Sequence, residues 1–329
     1  TTSRLPAVGS LTSSNSQWVL FEAVDKVTGR LEIWKCTLEG TQHQRLAVVP
    51  RGTGPSPLPI RNKQWTREGV LFQADSNSGE VVRVKADGKE RRQEPIPPLG
   101  IPGPLYAATL SPGGESMLVG YAGSTPYAMV DWDANGLPRQ VSIPSMGLPI
   151  CLSSSQVTGA TVYLALGAFV GPPTPGPSYR VIERNAAGVV SSVEVPQATF
   201  YDTRFPQKSP FLAEMCISPD GEEAIWANGS TIYIEPIAYT VGTPASLHLD
   251  TANAGKRHLA INTGLTDCRL PTFFDDAVTK RKGVVFSSGP TGATQLHCIR
   301  DLASPVVTNI PLPASLPIQA PSAPNAQLR

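Results

Sequence analysis

Short runs of β-favouring residues alternate with turn punctuation along most of the chain. Leu105 to Leu110 is an apolar run, Ser111-Pro112-Gly113-Gly114 a turn, and Ser116 to Tyr121 a second run. Gly123 to Pro126 breaks it. Tyr127 to Trp132 and Arg139 to Ile143 follow, separated by the turn Asp133-Ala134-Asn135-Gly136. The same grammar gives Trp18–Phe21, Leu31–Trp34 and Leu46–Val49, then Val70–Phe72, Val81–Val84 and a polar run before Pro97. Beyond it lie Val162–Leu166, Tyr179–Ile182 and Val193–Val195, then Met215–Ile217, Ala224–Trp226, Thr231–Ile234 and Ser246–Leu249. Pro271–Phe274, Val284–Phe286, Gln295–Ile299 and Val306–Ile310 complete the set. No stretch carries a sustained helical period with caps.

The runs fall into a repeat. Gly40, Gly88, Gly136 and Gly188 are spaced by 48, 48 and 52 residues, and Pro50, Pro97, Pro144 and Pro196 by 47, 47 and 52. A fixed period of that size means stacked copies of one supersecondary unit. One four-stranded sheet cannot cover both of its faces, so units of this kind bury each other by packing around an axis. The expectation is an all-β, six-bladed β-propeller with four antiparallel strands per blade. The blades run roughly 4–50, 57–97, 105–144, 149–196, 211–250 and 267–311. Residues 312–329 hold Pro313, Pro317, Pro321 and Pro324 and read as a proline-rich extended arm, too poor in apolar surface to fold alone.

Two turns carry a family resemblance. Ser218-Pro219-Asp220-Gly221-Glu222 and Ser111-Pro112-Gly113-Gly114-Glu115 each sit between a first and a second strand, 107 residues apart. A strand, S-P-D-G and a short apolar strand resemble the TolB-like propeller repeat, a relative of WD-type repeats. Ser218 to Trp226 matches well; Ser111 to Val119 has Gly113 where that family prefers Asp. The resemblance covers about a third of the chain. It implies six blades and leaves activity open, since fold does not fix function.

In such blades, first-to-second and third-to-fourth turns share one face of the disc, and here they are short. The other face receives long proline-rich loops: 50–57, 95–104, 171–177, 197–210 and 250–267. Loops raised on a rigid scaffold are common recognition sites, and proline reduces the freedom lost on docking. Phe200, Tyr201, Arg204 and Phe205, with Pro173 and Pro175, are the expected partner-binding residues, because aromatics and arginine dominate binding hot spots.

Composition narrows the classes. Charged residues make only 16% of the 329 residues, and 33 prolines and 29 glycines make almost a fifth. Low charge suits a surface packed against other proteins. A net charge of +1 argues against nucleic-acid binding. The basic run Lys280-Arg281-Lys282 reads as a solvated hairpin turn. Asn228-Gly229-Ser230 matches a glycosylation acceptor but reads better as a hairpin turn. Five dispersed cysteines without C-x-x-C spacing read as buried free thiols made in a reducing compartment. No apolar run approaches a membrane span. Thr1 reads as the residue left by removal of an initiator methionine. The expected location is a virion or the cytoplasm, or the periplasm if a leader was removed.

The chemistry expected is slight. There is no P-loop, H-E-x-x-H or G-x-S-x-G. The four histidines, His43, His248, His258 and His297, are unclustered and read as structural residues. Asp275 and Asp276, with Asp267 upstream, are the best carboxylate group, weak metal candidates whose plainer reading is a turn. No metal and no cofactor are expected. The reading is a non-catalytic scaffold that joins protein subunits through its long-loop face and C-terminal arm, a bacteriophage virion or tail component being its concrete form. The alternatives are a propeller lactonase, lyase or glycan hydrolase, with Asp275, Asp276 and Glu214 near the channel mouth, or a TolB-like envelope adaptor.

Overall fold

The structure is a computed structural model that describes residues 18–48, 63–66, 69–75, 80–85, 87–93, 105–111, 116–121, 128–132, 138–142, 148–157, 160–168, 177–195, 216–218, 220–240, 246–249, 259–276, 281–290, 293–316 and 318–326. Among them every regular element is a β-strand. The chain is all-β, and its sheets are antiparallel.

The first strands are β1 (Trp18–Asp25), β2 (Leu31–Thr37) and β3 (Gln44–Val48). They pair in chain order, with Trp18 opposite Thr37 and Val24 opposite Leu31. Next come β4 (Lys63–Thr66), β5 (Gly69–Asp75), β6 (Glu80–Val84) and β7 (Arg91–Gln93). A third sheet holds β8 (Leu105–Leu110), β9 (Ser116–Tyr121), β10 (Ala128–Trp132) and β11 (Pro138–Ser142). A fourth holds β12 (Leu148–Val157), β13 (Ala160–Ala168), β14 (Pro177–Asn185) and β15 (Val190–Val195). The fifth is built on β16 (Cys216–Ile217), β17 (Glu223–Asn228) and the long β18 (Thr231–Thr240).

The outer side of β18 is shared by two strands. β19 (Ser246–Leu249) pairs with Ile237 to Thr240, and β20 (Leu259–Asn262) with Thr231 to Ile234. The segment 250–267, expected as one long loop, therefore contains a strand. Leu-Ala-Ile-Asn is too short a run to stand out without its partner. The sixth sheet is β21 (Arg269–Asp275), β22 (Lys282–Ser288), β23 (Gln295–Ile299) and β24 (Thr308–Ile310).

The last strand, β25 (Ile318–Ala326), does not extend the sixth sheet. It pairs with β1, so the first sheet reads β25-β1-β2-β3. Residues 318–326, half of the expected proline-rich extended arm, are thus a strand. The prolines leave a mark on the ladder. Leu20 faces Asn325, Glu22 faces Ser322 and Val24 faces Gln319. At each step two residues of β25 oppose one of β1, and each extra pair contains a proline, Pro324 or Pro321. Proline has no N–H to give, and a bulge is where a strand tolerates it.

Neighbouring sheets touch mainly through their first strands. β25 packs against β21 and β22 on one side and β4 on the other; β5 meets β8, β8 meets β12, β12 meets β16, and β17 meets β21. The apolar core lies in the gaps. Alternation on β1 sends Val19, Phe21 and Ala23 toward Phe274, Val285, Leu296 and Cys298 of the sixth sheet, and Leu20 toward Val82 and Val84 of the second. Ile225, Ile232 and Ile234 meet Phe273, Val284 and Phe286 between the fifth and sixth. Each such side chain contributes about 1.5–3 kcal/mol by leaving water.

Candidate functional site

Antiparallel strands place two sets of turns at the same end of every sheet: those after a sheet's first strand and those after its third. The sequence builds these turns in two ways. After third strands, the N–H of Gly40, Gly88 and Gly188 returns to the carbonyl of Thr37, Lys85 and Asn185. The φ values are +70°, +75° and +77°, a region that side-chain-bearing residues avoid. That geometry is the physical origin of the glycine period; Gly136 lies outside the described residues. After first strands, the Ser218 hydroxyl accepts the Glu223 N–H at 2.9 Å, and the Ser111 hydroxyl accepts the Ser116 N–H at 3.1 Å. One serine in one role at the two resembling turns explains their shared motif.

Charges at this end tie sheet to sheet. The Arg300 guanidinium lies between Asp276, whose side chain is 0% exposed, at 3.3 Å and Glu39 of the first sheet's β2–β3 turn. Lys282 lies between Asp220 at 2.6 Å and Glu223 at 2.9 Å, both of the fifth sheet. Arg281 pairs with Asp301. The Gln44 side-chain amide donates to the Asp87 carbonyl of the second sheet. Burial alone would raise the Asp220 carboxyl, but the Lys282 ammonium and the Ser218 hydroxyl outweigh it and hold it below the usual range. Glu39 is likewise kept low, by Arg300 against its own desolvation. Burial would lower Lys282, yet its two carboxylates hold it above the ordinary lysine value.

The basic run thus departs from the solvated turn expected of it. Arg281 is exposed and paired; Lys282 opens β22 and links two sheets. Lys280 lies outside the described residues. Asp276 is buried beneath Arg300, whereas Asp275 is exposed. Asp267 precedes the far end of β21, and that strand alone separates it from Asp275 by roughly 20 Å at about 3.3 Å per residue, so the three do not share a ligand. Among the described residues no cluster of three or more His, Cys, Asp or Glu side chains has a metal-holding arrangement.

At that far end the turn from β20 into β21 is tightly made. Cys268 N–H donates to the Gly229 carbonyl, Thr263 N–H and hydroxyl to that of Ser230, and Gly289 N–H to that of Thr266. Asn228 ends β17 and Gly229-Ser230 turn the chain into β18, the hairpin expected of this tripeptide. Asp267 and Leu270 have φ of +51° and +50°, unusual for residues with side chains. His297 is buried, 2.9 Å from the Ser288 hydroxyl and stacked on Phe286; burial lowers its basicity. Cys36, Cys268 and Cys298 are buried free thiols and Cys216 is half-buried. Desolvation raises Cys36 to about 12 and Cys298 to about 11, so neither is a thiolate nucleophile at neutral pH.

Phe200, Tyr201, Arg204, Phe205, Pro173, Pro175 and Glu214 lie outside the described residues. The inter-sheet ion pairs were not legible in the sequence: Glu39 and Arg300 are 261 residues apart, and nothing local to either announces the other.

No protein-family model matches the chain, and no curated protein matches it in sequence. Solved structures with similar strand arrangements exist. A protein of unknown function from Desulfotomaculum acetoxidans is 12% identical, with 89% of this chain and 78% of that one covered and a TM-score of 0.46. The β-propeller domain of Cps50 (Swd1) from Myceliophteria thermophila is 12% identical, covering 91% and 87% at a TM-score of 0.43. A TolB candidate from Agrobacterium tumefaciens is 13% identical, covering 90% and 89% at 0.46.

Proposed function

We propose that the chain is a closed six-bladed β-propeller serving as a non-catalytic scaffold that joins protein neighbours. One observation carries the ring. β25 completes the first sheet while packing on the sixth sheet and on the second, and the remaining contacts run second to third, third to fourth, fourth to fifth and fifth to sixth. Six sheets touching in that order support a ring. Closure by a strand distant in sequence makes the wheel rigid, and rigidity lowers the entropy lost when loops on it dock.

The scaffold role is supported by how the charged groups at the short-turn end are used. Asp276, Arg300, Glu39, Lys282, Asp220 and Glu223 hold sheets together. Recognition then belongs to the opposite end, where the sequence places its long loops, with a virion or tail assembly as the setting to test first. Electron microscopy of the isolated chain should give discs with six lobes. Cross-linking within the native assembly should join residues 171–177 or 197–210 to a neighbouring protein. Turnover of a lactone or aryl glycoside that depends on an added divalent cation would overturn the scaffold role and favour the hydrolase alternative.

A further inference from the structure

We propose that residues 318–326 exchange between two copies of this chain, each copy's β25 completing the first sheet of the other. The proposal deepens the scaffold reading by naming one partner, a second copy.

Three features point there. First, β25 is a discontinuous partner: its ladder with β1 shifts twice, at the positions of Pro321 and Pro324. Second, the seat it occupies is demanding. β1 is buried along most of its length, and β25 also covers parts of β21 and β22. An open seat exposes a hydrophobic strand edge, which pairs with whatever segment fits. The segment known to fit, with an extra residue at each of the two bulges, is 318–326 itself, and a second copy supplies it identically. Exchange of an identical element is an inexpensive route to a dimer.

Third, the hinge, residues 311–317, is held in a turn by one backbone bond. Leu316 N–H donates to the Pro313 carbonyl at 3.0 Å, and proline-rich segments prefer extended conformations once such a bond is released. In the closed form this hinge is held by half-buried Leu312 and Leu316 and by the Lys26 ammonium, which donates to the Ala314 and Leu316 carbonyls at the surface.

The register gives a direct test. Val24 faces Gln319. Val24→Cys and Gln319→Cys variants of the chain are mixed, opened in mild urea, returned to buffer and oxidised. Exchange predicts a disulfide-linked heterodimer. While dimer is the minor form, its ratio to monomer should rise roughly tenfold for a tenfold rise in concentration. The double variant, oxidised alone, reports closure within one chain. An intrachain bond in the double variant with no heterodimer at any concentration overturns exchange and leaves the scaffold reading standing with another partner. If neither pair oxidises, light scattering on the unmodified chain decides. A dimer dissociated by excess peptide 312–329 supports exchange; a monomer throughout, or a dimer indifferent to the peptide, overturns it.

Discussion

Gly40 shows how one position serves both local and distant structure. Its φ of +70° closes the β2–β3 turn, and a Cβ there would lie 2.1 Å from the Pro311 carbonyl oxygen. Gly29 has a similar φ of +66° with nothing within 4 Å. Gly29→Ala should therefore cost only the backbone term, about 1 kcal/mol, whereas Gly40→Ala adds a clash with backbone and should cost at least about 3 kcal/mol. Urea midpoints of the two variants measure the difference; equal shifts would mean that Pro311 does not press on this turn. The glycine period was readable because backbone sterics restrict a left-handed turn to few residue types. Pro311 was not, because its contact with Gly40 is purely tertiary.

Histidine sets the pH response at the same scale. Burial lowers both His43 and His297 below the ordinary 6.5. The unfolded chain then binds more protons than the folded one as pH falls below about 6.5. Stability from these groups is present above that value and lost on acidification toward their folded values. Asp25, Glu39 and Asp220 are held low, so their contributions fade only in stronger acid, below about 4. Unfolding free energy should fall between pH 7 and pH 5.5, and His297→Gln should flatten that slope. An unchanged slope in the variant would assign the effect elsewhere.

At the scale of elements, Arg300 joins the β2–β3 turn to the turn between β21 and β22. Asp276 is shielded from water, and removing the cation beside a buried carboxylate costs several kcal/mol. Arg300 is 32% exposed, so water offsets part of that loss. Arg300→Met should lower stability by about 2 kcal/mol, and Asp276→Asn in that background should recover about half. A double-mutant cycle on chemical denaturation measures the coupling, and additive losses would mean that the pair acts independently. Strands with their own apolar runs were legible: 105–110 was read residue for residue as β8, and 246–249 as β19. Those missed were β4, β12, β20 and β25, namely Lys-Gln-Trp-Thr, a serine-rich decamer, Leu-Ala-Ile-Asn and a proline-rich nonamer. Each is a strand through its neighbour's hydrogen bonds, and a hydrophobic pattern cannot report a bond to a distant partner.

For the whole molecule the decisive joint is between β25 and β1, because it links residues about 300 apart in sequence. The sequence supplied the repeat, but six consecutive units look the same whether they form an open stack or a wheel. The pairing of β25 with β1 is what favours the proposed wheel over an open stack. The candidate partner-binding residues were chosen for chemical type on loops, and type alone carries no geometry; the ion pairs that can be placed are structural ones. The joint makes a strong thermal prediction. Ending the chain after Leu316 removes β25, uncovers the edge of β1, and exposes parts of β21 and β22 that it covers. In an open stack, losing an end strand would fray one unit and leave the main transition near its original temperature. In a closed wheel it unlocks the first and sixth sheets together. The expected loss is several kcal/mol, or about 10 °C at 2–4 °C per kcal/mol, with one sharp calorimetric transition broadening or dividing. Ending after Ala326 keeps β25 and should leave the transition within about 1 °C. If the two truncations melt alike, the wheel is not held shut by this strand.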